Sequence, residues 1–515
     1  MTIDDPLVRD LLNPANLPAG AGRVDFKASH ASFVFLAGDS VFKVKRAKDY
    51  GFFDYRRIES RKHFCEEEVR LNRRLAPDVY LAVLPVFKDS AGFSLVRRGE
   101  IADYAVHMRR LPDEESALAL LSAGRLGTAE LDAAARVLAR FYSRARAVAA
   151  PAGAMAENIR ENFDQVKPYV GSLVAAAVFE ATRSEQEAWL ARHRGRLALR
   201  PAKDGHGDLR LEHLYFWPGG VAIIDCIEFL DRFRIADPAL DAAFLAMDLR
   251  FRGRMDLAEY FLGRFAFESD DYDSYSLVDG YQSYRAWVRG KVSCFLAGDP
   301  ATDPQTRTRK AAEASRYFEL ARRCMVDGPR LPIAIAVGGI IGSGKSTLAA
   351  ALSRRLSAPT VSGDGTRKSL AGLDHDAPGG PEIYLPAFTA RAQAEFLRRA
   401  GEVLRSGRTV ILDTSFSSRE MRSRARELAA SHGARFLFVE CKVPESVARE
   451  RLRGRTGGIS DAREDLYPEF RERFEDVRDL SAAEHSVADA TRNPETLADE
   501  VAGRFAPQYA GEVRG

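Results

Sequence analysis

From Ala31 to Lys45 apolar and polar positions alternate, with Val and Phe prominent, and the pattern breaks at Ala37-Gly38-Asp39-Ser40. A period of two on both sides of a turn cluster predicts a hairpin. The period then lengthens, and Glu59 to about Leu75 reads as a helix that stops at Ala76-Pro77-Asp78. A strand pair is expected from Val79 to Val96 around the turn Asp89-Ser-Ala-Gly92, followed by the apolar run Tyr104 to Met108. The chain is then helical and rich in Ala and Arg from Ala117 through Arg194 and again from Leu240 to Arg323, with a short β insert from Leu214 to Ile227 between. Asp327-Gly-Pro-Arg330 is the best linker, because Gly-Pro stops a helix. Beyond it the pattern becomes βα, with strands at 333–337, 409–413 and 435–441, which predicts a three-layer α/β fold with a parallel sheet. The expected organisation is an α+β half over residues 1–328 and an α/β half over 329–515.

Composition changes this picture little. The chain has 515 residues, 46% of them apolar, enough for large cores. Lys plus Arg (76) nearly balances Asp plus Glu (73), so the net charge of +3 supplies no chain-wide field for nucleic acid. Five cysteines without a CxxC pair suggest neither a disulfide framework nor a zinc site and fit a reducing cytoplasm. The N-terminus lacks a basic and then apolar leader, and no window of eighteen apolar residues occurs, so neither secretion nor a membrane span is expected.

Two motifs carry chemistry. The first, Gly339-Ile-Ile-Gly342-Ser343-Gly344-Lys345-Ser346-Thr347, satisfies the GxxxxGK[ST] phosphate-loop pattern between an apolar strand and a helix. Its glycines let backbone N–H groups face a phosphate of ATP, Lys345 reaches the β- and γ-phosphates, and the Ser346 hydroxyl is a ligand for Mg²⁺. The second is His206-Gly-Asp208-Leu-Arg-Leu-Glu-His213, followed by Val221-Ala-Ile-Ile-Asp225. Here Asp208 is placed to act on an acceptor hydroxyl and Asp225, delivered by a strand, to ligate Mg²⁺.

His206-Gly-Asp-Leu, Ile224-Asp225 and the later Asp237-Pro-Ala-Leu-Asp241 resemble the catalytic loop, metal segment and following helix of aminoglycoside phosphotransferases, whose fold is protein-kinase-like. The resemblance spans roughly residues 25 to 320. It implies that a strand lysine in Val41-Phe-Lys43-Val-Lys45 holds the ATP phosphates and pairs with a helix glutamate. Lys43 and Glu68 are chosen, with Lys45 and Glu67 as second choices, because both lysines share one strand face. Two departures stand out: His213 occupies the place where the family has a metal-binding Asn, and the nucleotide loop Ala28-Ser-His-Ala-Ser32 has no glycine, leaving phosphate contacts to hydroxyls and backbone N–H groups.

The second half resembles polynucleotide 5′-kinases, zeta toxins, gluconate kinase and chloramphenicol phosphotransferase. The resemblance implies that Asp364 activates the acceptor hydroxyl, Arg367 binds the acceptor, Asp413 lies beside the metal and phosphate, and Arg451 or Arg455 serves as a lid arginine. Tyr384 and His375 fall in the acceptor-side segment, where packing is the commoner fate. The whole chain resembles bacterial bifunctional aminoglycoside phosphotransferase/ATP-binding proteins. The expected function is an ATP- and Mg²⁺-dependent phosphotransferase with two nucleotide sites, moving the γ-phosphate to a hydroxyl of a sugar-like or antibiotic-like small molecule. The alternatives are a polynucleotide 5′-hydroxyl kinase and a P-loop kinase regulated by a non-catalytic first half.

Overall fold

The computed structural model describes residues 5–505 except 19–21, 30, 50, 52–53, 98, 150–152, 301, 327–330 and 455–458. The expected linker Asp327–Arg330 and the lid candidate Arg455 therefore lie outside the described residues. Two compact units form, one from residues 1–154 and 196–248, the other from 155–195 and 249–515. This grouping differs from the expected division at 328–329, since the helices of 249–326 pack with the βα segment that follows them.

The first unit is built on a six-stranded antiparallel sheet of β1 (Val24–Ala28), β2 (Ser32–Ala37), β3 (Ser40–Lys45), β4 (Tyr80–Asp89), β5 (Gly92–Ser94) and β6 (Glu100–Arg109), in the order β1-β2-β3-β6-β4-β5. The hairpin of β2 and β3 closes between Ala37 and Ser40, as the alternation predicts. Helix α1 (Ile58–Asn72) lies against this sheet and buries Arg61, Cys65, Glu68 and Asn72, a spacing of three and four residues that puts all of them on one face. An ion pair of 2.8 Å between Arg61 and Asp103 of β6 fixes the helix in rotation and so aims Glu68 inward. Helix α2 (Thr128–Arg144) and the hairpin β7 (Leu214–Trp217) and β8 (Gly220–Ile223) complete the setting of the second motif. The β insert ends as a strand at Ile223, so Ile224 to Ile227 is loop rather than strand.

In the second unit five strands form a wholly parallel sheet: β9 (Ile333–Gly338), β10 (Thr360–Ser362), β11 (Val410–Asp413), β12 (Arg435–Lys442) and β13 (His485–Asp489), ordered β10-β11-β9-β12-β13. Central β9 is buried along its whole length, which explains its unbroken apolar run. Helix α3 (Lys345–Leu356) follows the phosphate loop, and α4 (Gly363–Leu370) follows β10 directly. The helices at Met255–Ser269 and Val278–Gly298 pack around Trp287, whose ring lies 4.2 Å from Phe163 and 4.7 Å from Phe318. Among the described residues no helix is long and apolar enough to cross a membrane.

Arg408, 4% exposed, ties these helices to the parallel sheet. Its guanidinium donates to Glu259 at 2.6 and 3.0 Å and to Asp279 at 2.6 and 3.0 Å, two bidentate pairs from one side chain. Its partners hold it fully charged despite burial. Arg408→Ala leaves two carboxylates uncompensated and is expected to cost about 3–5 kcal/mol in urea unfolding. A loss below about 1 kcal/mol would show that the contact contributes little.

Candidate active sites

The phosphate loop leaves β9 through Gly339, Gly342 and Gly344, whose φ values of 143°, 76° and 89° lie in the left-handed region that side chains avoid. Space enforces the choice as well: a Cβ on Gly342 would come within 2.6 Å of the Ala448 carbonyl. Ser343 is buried and its Oγ has no partner. Lys345, Ser346 and Thr347 open α3, and both hydroxyl residues are exposed.

Strand pairing brings the carboxylates here. Asp413 ends β11 opposite Val337 of β9 on one side and Ser362 of β10 on the other, so it stands at the carboxyl edge of the sheet beside the loop. Ser362 caps α4 by accepting from Gly365 N at 3.1 Å, which sets Asp364 in the first turn of that helix. Burial pushes the Asp413 carboxyl up to about 6, against the pull of Lys345 and the Ser346 hydroxyl that bonds to it, while the charge of Asp364 adds to the rise. Its Oδ1 is buried without a partner. An orphaned carboxylate oxygen next to a serine hydroxyl and an ammonium is an arrangement that a bound cation and phosphates would satisfy.

The remaining residues read from the sequence in this half are distributed around the loop. The Arg451 Nη2 donates to Ala490 O at 2.8 Å, and its Nη1 would sit 3.0 Å from a Cβ on Gly344. Arg367 is held locally: Nη1 donates to Ile383 O at 2.5 Å and Thr389 Oγ1 at 2.9 Å, and the guanidinium stacks 5.0 Å from the Tyr384 ring centre. His375 packs edge-on to Phe267 at 5.1 Å. Unforeseen in the sequence, Asp461 gathers this segment by accepting from Tyr384 at 2.6 Å and pairing with buried Lys368 at 3.2 Å.

The second motif forms a charge network in the first unit. Glu68 is met by both lysines, Lys43 at 2.9 Å and Lys45 at 2.7 Å, so the two alternatives open in the sequence converge on one carboxylate. Lys43 also pairs with Asp225 at 2.8 Å, and Lys45 pairs with Glu228, which accepts from Tyr55 at 3.0 Å. Glu67 faces outward to Arg70 and takes no part. Burial opposes the charge on Asp225, but Lys43 and then His213 overcome it and hold the carboxyl well below the usual range. Asp225 sits at φ 64°, a left-handed conformation held by its own N–H donating to Tyr80 and by Cys226 N donating to Asn72 at 2.8 Å.

Asp208 follows His206, which is buried, kept neutral by burial, and joined to Ile224 O at 2.9 Å and Asp208 N at 3.2 Å. Since Nδ1 accepts from that N–H, Nε2 carries the proton. Asp241 accepts from His206 N at 2.8 Å and Gly207 N at 3.1 Å, fixing the loop from the helix that follows. The Asp208 carboxylate is spanned by Arg210 at 3.0 and 2.8 Å, a partner that the sequence reading missed although it lies two positions away. His213 does return to this place: Nδ1 is 2.8 Å from Asp208 O and Nε2 3.5 Å from Asp225 Oδ2. In the glycine-free loop, Ser29 Oγ is spent on Ser32, donating to its carbonyl at 3.2 Å and accepting from its N–H at 2.9 Å.

Comparison with known proteins gives three results. The family model described as a phosphotransferase enzyme family matches residues 38–278, and one described as an AAA domain matches 335–477. Uncharacterized proteins of Mycobacterium tuberculosis and Mycobacterium bovis are 34% identical over 455 residues, covering 85% of this chain and 88% of theirs. Among solved structures, a gluconokinase from Sinorhizobium meliloti is 27% identical over 35% of this chain and 94% of its own, with a TM-score of 0.25. A choline/ethanolamine kinase family protein from Mesorhizobium loti is 15% identical over 59% of this chain and 94% of its own, with a TM-score of 0.37.

The raised Asp413 carboxyl predicts a pH dependence of stability. Between its unfolded value near 3.8 and about 6, the folded state binds the extra proton, so stability falls as pH rises through this window and stays reduced above it. Asp413→Asn is expected to match the wild type near pH 4 and exceed it by up to about 3 kcal/mol at pH 7.5 in ligand-free denaturant titrations. Equal stabilities at both pH values would refute the burial penalty.

Proposed function

We propose, from the premise that this chain belongs to the family of its mycobacterial relatives and joins a phosphotransferase-family half to a P-loop kinase half, that the P-loop half moves the γ-phosphoryl group of ATP to a small-molecule hydroxyl. The observation that carries the reading is the unpartnered, buried Asp413 oxygen beside Ser346 and Lys345, with Asp364 in the adjoining helix turn. Mg²⁺, when bound, neutralises phosphate charge, and Ser346 and Asp413 are the residues that would hold it.

Asp364 takes the proton of the acceptor hydroxyl. The hydroxyl oxygen forms its bond to the γ-phosphorus as the bond to the bridging β–γ oxygen breaks, and ADP leaves. The glycine-loop N–H groups and Lys345 meet the charge that builds on the phosphates, with Arg451 close to Gly344 on the same side. Arg367 orders the segment 383–389, where the acceptor is bound. A sugar-like acceptor is preferred to a polynucleotide because the charge balance of 76 to 73 offers no broad basic surface.

For the first half, the observations favour nucleotide binding that regulates the P-loop half. Arg210 covers both Asp208 oxygens, and Lys43 holds Asp225, so the base and the metal ligand are each committed to a cation. Lys43, Glu68, Asp225 and His213 remain the residues that would receive nucleotide and metal, after Lys43 turns from Asp225 to phosphate.

Two outcomes are expected when the full chain is supplied with ATP and a metabolite pool. Lys345→Ala should lower acceptor phosphorylation by about 10²-fold or more with the fold unchanged, and Asp364→Asn should lower kcat by about 10² to 10⁴-fold with nucleotide affinity preserved. Normal turnover in either variant contradicts the assignment. In the same assay Asp208→Ala should leave phosphorylation within about twofold, whereas a loss of 10² to 10⁴-fold would make the first half the catalyst.

A further inference from the structure

On the face of α1 turned away from the β3 lysines lies an open cavity of about 1190 Å³, enclosed by α1, the end of α2 and the segment 228–234. It is roomy enough for a metabolite-sized ligand. No step of the proposed phosphoryl transfer uses it.

The charges around it are unevenly matched. Every carboxylate in the lining is committed: Glu67 to Arg70, Asp204 to Arg74 and Arg234, Asp231 to Arg234, and Glu228 to Lys45. Arg140, Arg144 and Arg146, by contrast, line the cavity from the end of α2 and the turn after it, and no ion pair to them is found among the described residues. Three exposed arginines line one concave space while the local acids are neutralised elsewhere. Half-buried Phe64 and Phe141 supply apolar walls, and Arg74 stacks 5.1 Å over the Phe141 ring.

The geometry points to a further ligand site, apart from both nucleotide sites, for an anion carrying at least two phosphate groups. Arginine presents forked donors that match phosphate oxygens two at a time, and a cavity filters by shape what an open basic surface would not. Three positive charges are matched more closely by a diphosphate than by a single phosphate, which is why the site calls for a diphosphate. The inference is independent of which half of the chain catalyses transfer.

The test uses the full chain with its nucleotide sites saturated by Mg²⁺ and a non-hydrolysable ATP analogue, and titrates inorganic pyrophosphate calorimetrically. Saturable binding is expected, weakened at least about tenfold in Arg140→Glu/Arg144→Glu/Arg146→Glu. Should the triple variant unfold, the single changes Arg140→Gln, Arg144→Gln and Arg146→Gln each serve, every one expected to weaken binding at an unchanged melting temperature. Pyrophosphate binding that vanishes once the analogue is saturating, or that all of these arginine variants retain in full, overturns the site.

Discussion

A carboxylate taken out of water must find a cation, and both candidate sites are organised by that requirement. Glu68 and Asp413 are both buried, Glu68 on the inward face of α1 whose rotation the Arg61–Asp103 pair sets, Asp413 at the end of a central parallel strand. What differs is the completeness of compensation. Glu68 is shared by two lysines, which in turn hold Asp225 and Glu228, so the first-half network is closed upon itself. Glu68 Oε1 and Asp413 Oδ1 both lack a hydrogen bond, but the Glu68 oxygen lies 2.9 Å from the Lys43 ammonium, whereas the Asp413 carboxyl is lifted to about 6.

That contrast separates the two halves more sharply than their motifs do. In the P-loop half the backbone has already paid its conformational cost, with the three loop glycines in left-handed conformations and the flanking strand fully buried, so ligand groups complete an arrangement that exists. In the first half, receiving nucleotide means exchanging the Lys43–Asp225 pair for a phosphate contact, and using Asp208 as a base means releasing Arg210. An equilibrium of that kind is well suited to sensing a ligand, because binding is linked to rearrangement.

The legible parts of the sequence were those where chemistry and periodicity are local. The glycine loop, the β2–β3 hairpin, the helix carrying Glu68 and the central strands stand where alternation and spacing put them. The choice between Lys43 and Lys45 had no local answer, since both share a strand face, and it dissolves in the structure because one carboxylate receives both. Glu228 was invisible for a related reason: its partner Lys45 is 183 residues away, and only the fold brings them together. Strand β13 escaped notice because His485-Ser-Val-Ala-Asp489 is a short edge strand without the apolar run of its central neighbours; its membership is read from pairing with β12 and from the 3.0 Å contact of His485 with Glu440. The division into units was hidden too, since the bidentate grip of Arg408 on Glu259 and Asp279 joins helices far upstream to the parallel sheet.

The most direct test of two nucleotide sites of unequal readiness is calorimetric titration of the full chain with Mg²⁺ and a non-hydrolysable ATP analogue. Two binding events are predicted, the tighter one removed by Lys345→Ala and the weaker one removed by Lys43→Ala. A single event that survives Lys345→Ala, or a tighter event that disappears with Lys43→Ala alone, would contradict the account.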